Sequence, residues 1–376
     1  MSVLIVILII SFLVIIHELG HFIAAKRAKV KVEEFGLGYP PKIFKLFCWQ
    51  GTDFTLNLIP FGGFVRMAGE HGSEIDEKKK KSDSNKIGPF YSKSSKQRMI
   101  VILAGVVVNI VFAVFSFSVV YSFLGIPTEI DQPRIGWVSK NSPAQQAGLP
   151  ENVNLVEIRS PQQSYQIDSV EQIQEVVKKH RGEELTAIAT GVCDQLVCPT
   201  ETKEYQIYAR TEEETPPDQG SLGIIFTNSV LKFYPWYQMP FRGMIYGTKQ
   251  AIAFAVLILR ALVDVFTHLL TTGTVQEDVA GPVGIVYEAH QGNLIQKDFL
   301  SNLGFAGMLS LNLAIMNLLP IPALDGGRAL FIFLEKIFDK KKIQKIEVYA
   351  NYLGFALLMI LIVAITIKDV IKVING

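Results

Sequence analysis

The sequence predicts a polytopic α-helical membrane protein of about four spans, with a membrane-associated β-hairpin or small sheet and one inserted soluble α+β domain. Three observations carry this expectation. A mean hydropathy of +0.30 with 49% apolar residues is too high for an ordinary soluble chain of 376 residues, while 19% charged residues leaves room for water-exposed parts. Four apolar runs, Val3–Ala25, Met99–Gly125, Leu303–Phe333 and Tyr349–Ile367, are each long enough to cross the ~30 Å hydrocarbon core. Between Pro127 and Asn228 the composition changes to mixed charge, short alternating stretches and turn residues. A net charge of +1 carries no signature of nucleic-acid binding, and the cluster Lys78–Lys81 reads as a solvated loop.

Taken in order, residues 1–25 form the first expected span. No basic region precedes the run and no small-residue cleavage site follows it, so it reads as a retained span rather than a signal peptide. Residues 26–98 form a loop rich in Lys and Arg near both flanking spans, and the short loop after Phe333 carries Lys336, Lys340, Lys341, Lys342 and Lys345. Both are expected on the cytoplasmic side. Four spans satisfy this, with the second over 99–125, the third over 303–333 and the fourth over 349–367. Within 229–302, the stretch Ile245–Leu270 is apolar but holds Lys249, Arg260, Asp264 and His268, which predicts an amphipathic or interfacial helix. A fifth span there would put one basic loop on the wrong side. In the cytoplasmic loop, Thr52–Met67 alternates Phe54, Leu56 and Leu58 and then reaches Gly62 and Gly63. That pattern predicts a hairpin close to the membrane whose edge could pair with an extended peptide, the plain alternative being a structural loop.

The inserted segment has a recognisable beginning. PRIGWVSKNSPAQQAGL, residues 133–149, resembles the start of a bacterial PDZ domain, in which a strand precedes an SPAxxAGL helix. Residues 168–180 read as an amphipathic helix with Val170, Ile173, Val176 and Val177 on one face, as the peptide-groove helix of such a domain would. The topology puts this domain, 127–228, on the extracytoplasmic side. Cys193 and Cys198 lie in it, close enough in sequence for a disulfide in an oxidising compartment, with free thiols and then a metal site as the alternatives; Cys48 falls in the cytoplasmic loop.

The chemistry concentrates in His17-Glu18-Leu19-Gly20-His21, inside the first apolar run. Histidines four apart project from one helix face, so both rings can converge on a metal ion while the intervening glutamate reaches its bound water. With six His in the chain, such a match is expected by chance about 0.005 times. Ionisable groups in a spanning helix cost several kcal/mol without a partner, which a metal supplies. The third ligand candidate is Asp325 in NLLPIPALDGGRAL, residues 317–330. An aspartate bracketed by Pro320, Pro322, Gly326 and Gly327 marks a broken helix, whose exposed backbone must be buried in protein or face a wet cavity. A helix-cap role is the plain reading of Asp325 alone. In the four-span topology, however, the two histidines and Asp325 lie at similar depth, toward the cytoplasm.

These motifs, with FGLGYPP at 35–41, PFGGFVRM at 60–67 and GPVGI at 281–285, occur in an order that resembles the site-2 protease family of intramembrane zinc metalloproteases (peptidase M50), of the RseP-type regulator of sigma-factor proteases. The resemblance covers nearly the whole chain. It implies a zinc metalloendopeptidase of the bacterial cytoplasmic (inner) membrane. Such an enzyme cuts single-span membrane proteins within the lipid bilayer, often after an upstream site-1-type protease has trimmed them. It implies His17, His21 and Asp325 as Zn2+ ligands, Glu18 as the general acid/base, and Asn317 as the residue that holds the substrate or the oxyanion. Phe54, Leu56, Leu58, Gly62 and Gly63 are the candidate substrate-binding strand. Long RseP members have two tandem PDZ domains, whereas 127–228 has room for one. A reading from another class is a membrane PDZ scaffold or receptor with a non-catalytic metal; structural zinc sites normally close with four protein ligands, and no fourth is evident.

Overall fold

The computed structural model describes residues 2–70, 87–191, 202–216, 219–272, 281, 284 and 298–375. Cys193 and Cys198 lie outside the described residues, as do Lys78–Lys81 and all of the GPVGI stretch except Gly281 and Gly284. The chain divides into two compact units, Met1–Leu124 with Pro235–Gly376, and Gly125–Tyr234.

The first unit opens with helix α1, Ser2–Arg27, ending on the basic pair Lys26 and Arg27. It is followed by strands β1, Val32–Trp49, and β2, Thr52–Met67, and then by helix α2, Ser95–Leu124. Among the described residues, four helices are long and apolar enough to cross a membrane: Leu4–Arg27, Ser95–Leu124, Phe299–Leu318 and Lys342–Ile371. Their apolar side chains leave one face of α1 open, with Leu4, Leu8, Phe12, Leu19 and Ile23 exposed, while Val6, Leu13 and Phe22 are buried. That division suits a helix with lipid on one side and protein on the other.

The run expected as one span over 303–333 is two helices. Helix α6, Phe299–Leu318, stops before Pro320 and Pro322, which cannot continue a helix, and helix α7, Asp325–Leu334, starts afresh. The stretch Ile245–Leu270 falls inside a continuous helix of 34 residues, α5, Met239–Thr272. It packs along α2, with a Cβ on Gly247 standing only 2.5 Å from Ser118 N, and around Ala251, Phe117 and Leu311. The last helix, α8, runs from Lys340 to Asn375, well beyond the expected 349–367. Arg98 at the start of α2 and Glu335 just after α7 form a buried ion pair, their side chains 1% and 3% exposed.

The hairpin differs from its expectation. Thr52–Met67 is a single strand whose partner is β1, and the turn between them is Gln50–Gly51. Both strands bend, so residues 34–37 pair with 53–56 on one side and 63–66 on the other, while 53–56 also pair with 44–48. Phe54 and Leu56 are therefore internal to this sheet. Its outer strands are 42–49 and 63–67. Asn57, 2% exposed, ties the bend together by donating to the carbonyls of Leu37 and Gly38. Ile43, Phe44, Leu46, Phe47 and Trp49 are all exposed on the outer segment of β1.

The second unit is a six-stranded sheet. Its strands are β3, Ile126–Val138; β4, Val153–Arg159; β5, Ser164–Gln166; β6, Glu184–Gly191; β7, Thr202–Tyr208; and β8, Ile224–Lys232. They run in the order β7-β6-β4-β3-β8, with β5 on β4. Helix α3, Pro143–Gln146, is capped by the Ser142 hydroxyl and closes at Gly148 with φ +71, which is the local reason for the Ser-Pro and Gly of the 142–148 motif. Helix α4, Val170–Lys179, is capped by Ser169 and buries Ile173, Val176 and Val177 against Leu155, Ile158 and Leu185. Beside it, Ile173, Val177, Leu222, Ile224 and Phe226 line a cleft of about 300 Å³.

Candidate metal centre

Helix α1 brings His17 and His21 to its protein-facing side, 5% and 7% exposed. Room for them comes from glycine. A Cβ on Gly105 of α2 would lie 2.5 Å from His21 Nε2 and 2.7 Å from His17 Cε1, and a Cβ on Gly20 would lie 2.6 Å from the Ala104 carbonyl oxygen. The two helices touch backbone to backbone at the level of the imidazoles, as small residues allow.

Hydrogen bonds fix which nitrogens are free. His21 Nδ1 lies 2.8 Å from the Val101 carbonyl oxygen, which can only accept, so Nδ1 carries a proton and in the neutral ring Nε2 keeps its lone pair. His17 Nδ1 lies 3.2 Å from the Asn109 carboxamide, whose Oδ1 is buried without a hydrogen-bond partner. Turning that amide by 180° gives Oδ1 the His17 Nδ1–H and leaves His17 Nε2 free in the same way. Both free nitrogens face Asp325, the first residue of α7. Oδ2 of Asp325 is 3.0 Å from His17 Nε2 and 3.2 Å from His21 Nε2, and the two nitrogens are 3.1 Å apart. Zinc bonds of about 2.05 Å set a tetrahedral edge of roughly 3.3 Å, so this triangle of donor atoms fits one face of a zinc tetrahedron. Among the described residues, these three form the cluster able to hold a metal ion.

Asp325 reaches the histidines because the chain turns sharply on both sides of it. Cβ atoms on Gly326 and Gly327 would each stand 2.2 Å from a carbonyl oxygen, of Leu318 and Ile321 respectively. Before it, Ala323 has φ +75 and donates its N–H to Asn351 Oδ1 of α8 at 2.9 Å. The site opens on a cavity of about 670 Å³, lined by Glu18, the His17–His21–Asp325 trio and Asn317 on the helical side, and by Tyr39, Phe64, Val65, Arg66 and Met67 on the sheet side. Asn317, in the last turn of α6, places Nδ2 3.4 Å from His17 Nε2. Arg328, one turn after Asp325, is 2.6 Å from Glu70, which follows β2.

The profile of peptidase family M50 matches residues 5–361. The chain belongs to peptidase family M50. Among family M50 relatives, a Clostridium acetobutylicum protein with a provisional zinc-metalloprotease name is 31% identical over 379 residues, 100% of this chain and 98% of the relative. The zinc metalloprotease RasP of Oceanobacillus iheyensis is 29% identical over 440 residues, covering 97% of each chain.

In this family M50 chain the sequence-predicted residues divide cleanly. His17, His21 and Asp325 converge, and Glu18 and Asn317 line the same cavity. Phe54 lies away from it, packed in an aromatic group with Phe22, Phe35 and Phe47 at centroid distances of 4.5–5.6 Å. Leu56 and Leu58 are not among the lining residues either; the lining strand is the one that follows Gly62 and Gly63. Sequence reasoning missed Gly105 and Asn109. Asn109 had a signal: it is the one carboxamide in the apolar run 99–125, and a polar group there needs a partner.

Proposed function

We propose that this chain is an intramembrane zinc metalloprotease that hydrolyses peptide bonds within or near the transmembrane helix of single-span membrane proteins. The observation that carries this reading is the tetrahedral face of His17, His21 and Asp325, with Glu18 beside it and, across the same cavity, the strand 63–66, whose outer edge has no register partner among the described residues. Zinc held by these ligands would supply a Lewis acid and a water of lowered pKa. Glu18 takes the proton of the attacking water and passes it to the leaving amine. Asn317 donates its amide N–H to the developing oxyanion. His21 Nδ1–H on the Val101 carbonyl and His17 Nδ1 on Asn109 keep both rings aimed.

A transmembrane helix hides its peptide bonds in its own hydrogen bonds, so the substrate must be held extended. Among the described residues, 63–66 have register partners only in 34–37, and we read their other edge as the one that takes the substrate by strand addition. This edge replaces Phe54, Leu56 and Leu58 as the proposed substrate strand, and Gly62 and Gly63 lead into it. We read the unit Gly125–Tyr234 as a single PDZ domain on the extracytoplasmic face of a bacterial inner membrane, a reading supported by the Ser142-capped 142–149 motif and the α4 cleft. It screens substrates trimmed by a site-1-type protease. Cleavage of a tagged single-span substrate by purified native protein, with zinc content assayed, tests the central reading. Cleavage that a chelator abolishes and zinc restores is expected; peptide binding without any cleavage would sink it.

A further inference from the structure

The turn that delivers Asp325 is held in a conformation its own sequence disfavours. Ala323, two residues earlier, has φ +75, a region that glycine enters freely and alanine does not. Its N–H points out of the turn, to Asn351 Oδ1, 2.9 Å away and 28 residues later in α8. The approach of α8 is close at this level. A Cβ on Gly354, three residues after Asn351, would stand 2.6 Å from the Pro322 carbonyl oxygen and 2.8 Å from Pro322 Cβ. Gly354 thus lets α8 sit against Pro322 while Asn351 takes up the amide of Ala323. The next residues run directly into the metal trio, whose oxygen-to-nitrogen separations are 3.0 and 3.2 Å.

We propose that Asn351 is a positioning residue for Asp325: from a helix that contributes no ligand, it holds the left-handed turn at Ala323 and so sets where the carboxylate meets the two histidines. The inference rests on reading His17, His21 and Asp325 as zinc ligands. Without the amide acceptor, Ala323 relaxes to negative φ, the chain after it rotates, and Asp325 no longer completes the triangle. Glycine at 323 removes the conformational preference and with it the need for Asn351.

The test uses the full chain in detergent, with zinc affinity measured by competition against a chromogenic chelator and amide exchange at 323 followed in the metal-free protein. Asn351→Ala should weaken zinc binding roughly ten-fold, the scale set by one non-glycine residue in the left-handed region, and speed exchange of the Ala323 amide. Adding Ala323→Gly should bring zinc affinity back to within about three-fold of native. Asn351→Asp, which keeps an acceptor oxygen, should bind zinc as the native chain does. Unchanged affinity in Asn351→Ala, or a loss that Ala323→Gly does not relieve, overturns the inference. Should Asn351→Ala alone fail to fold, the double variant decides: near-native zinc affinity supports the positioning role, and weak binding or misfolding overturns it. Absence of zinc binding by the native chain would instead remove the metal reading itself.

Discussion

The two halves of the proposed metal trio are delivered in opposite ways. His17 and His21 come from an uninterrupted helix, where the 3.6-residue period puts both rings on one face and a neighbouring glycine makes room for them. Asp325 comes from the end of an interruption, a six-residue gap between α6 and α7 held by two glycines behind it and by Asn351 of a distant helix before it. The regular half is specified by local geometry and perturbed mainly from outside. The irregular half is specified by contacts far apart in sequence and is vulnerable at each of them.

Separating the chemistry from both halves should give the largest effect. Glu18→Gln is expected to lower turnover about 10²–10⁴-fold while zinc stays bound, the range for loss of a general base; a variant that loses its zinc as well would place Glu18 in the scaffold. Next come the two halves themselves. Gly105→Val drives a branched side chain into both imidazoles, and Gly327→Val drives one into the Ile321 carbonyl. Each should reduce zinc affinity by about 100-fold or more, measured by chelator competition. If Gly105→Val binds zinc normally, the helical half does not depend on its neighbour as described.

A finer contrast lies in the hydrogen bond behind His17. Asn109→Leu should weaken zinc binding about 10–100-fold, whereas Asn109→Asp should retain it, because a carboxylate oxygen still accepts from His17 Nδ1. Equal loss in both variants would point to packing alone. The smallest effect belongs to the sheet edge. Val65→Pro removes one backbone donor from the strand 63–67 and should cost about five- to ten-fold in turnover with zinc binding unchanged; undiminished turnover would dismiss the edge as the substrate's partner.

How much of this was legible follows the same division. The histidine pair and the amphipathic 170–179 helix are short-range patterns with fixed periods that could be read directly, and the short helix at 143–146 could be read from the resemblance of its SPAxxAGL motif. Asp325 was readable because prolines and glycines mark a break in an apolar run. What holds it was not, since nothing in the sequence around Asn351 refers to a turn 28 residues earlier. The sheet misled for a related reason. Alternation of Phe54, Leu56 and Leu58 identifies a strand but not its neighbours, and the doubling back of both strands at residues 38–41 and 58–62 put that strand inside. Gly105 carries no pattern at all, because a glycine in an apolar helix looks the same whether it faces lipid or two imidazoles.

Helix α1 ends at Arg27, and in the proposed intramembrane arrangement its basic pair lies at the level where lipid gives way to water. His21 lies six residues before that end, about 9 Å at 1.5 Å per residue. A hydrolase in lipid must be resupplied with one of its two reactants, and 9 Å is a column of only about three water molecules at the ~2.8 Å of an O–H···O hydrogen bond. Such a short column needs no pore through the bilayer. Resupply by hydration from one face would leave the remaining ~20 Å of hydrocarbon sealed against ions while the reaction turns over.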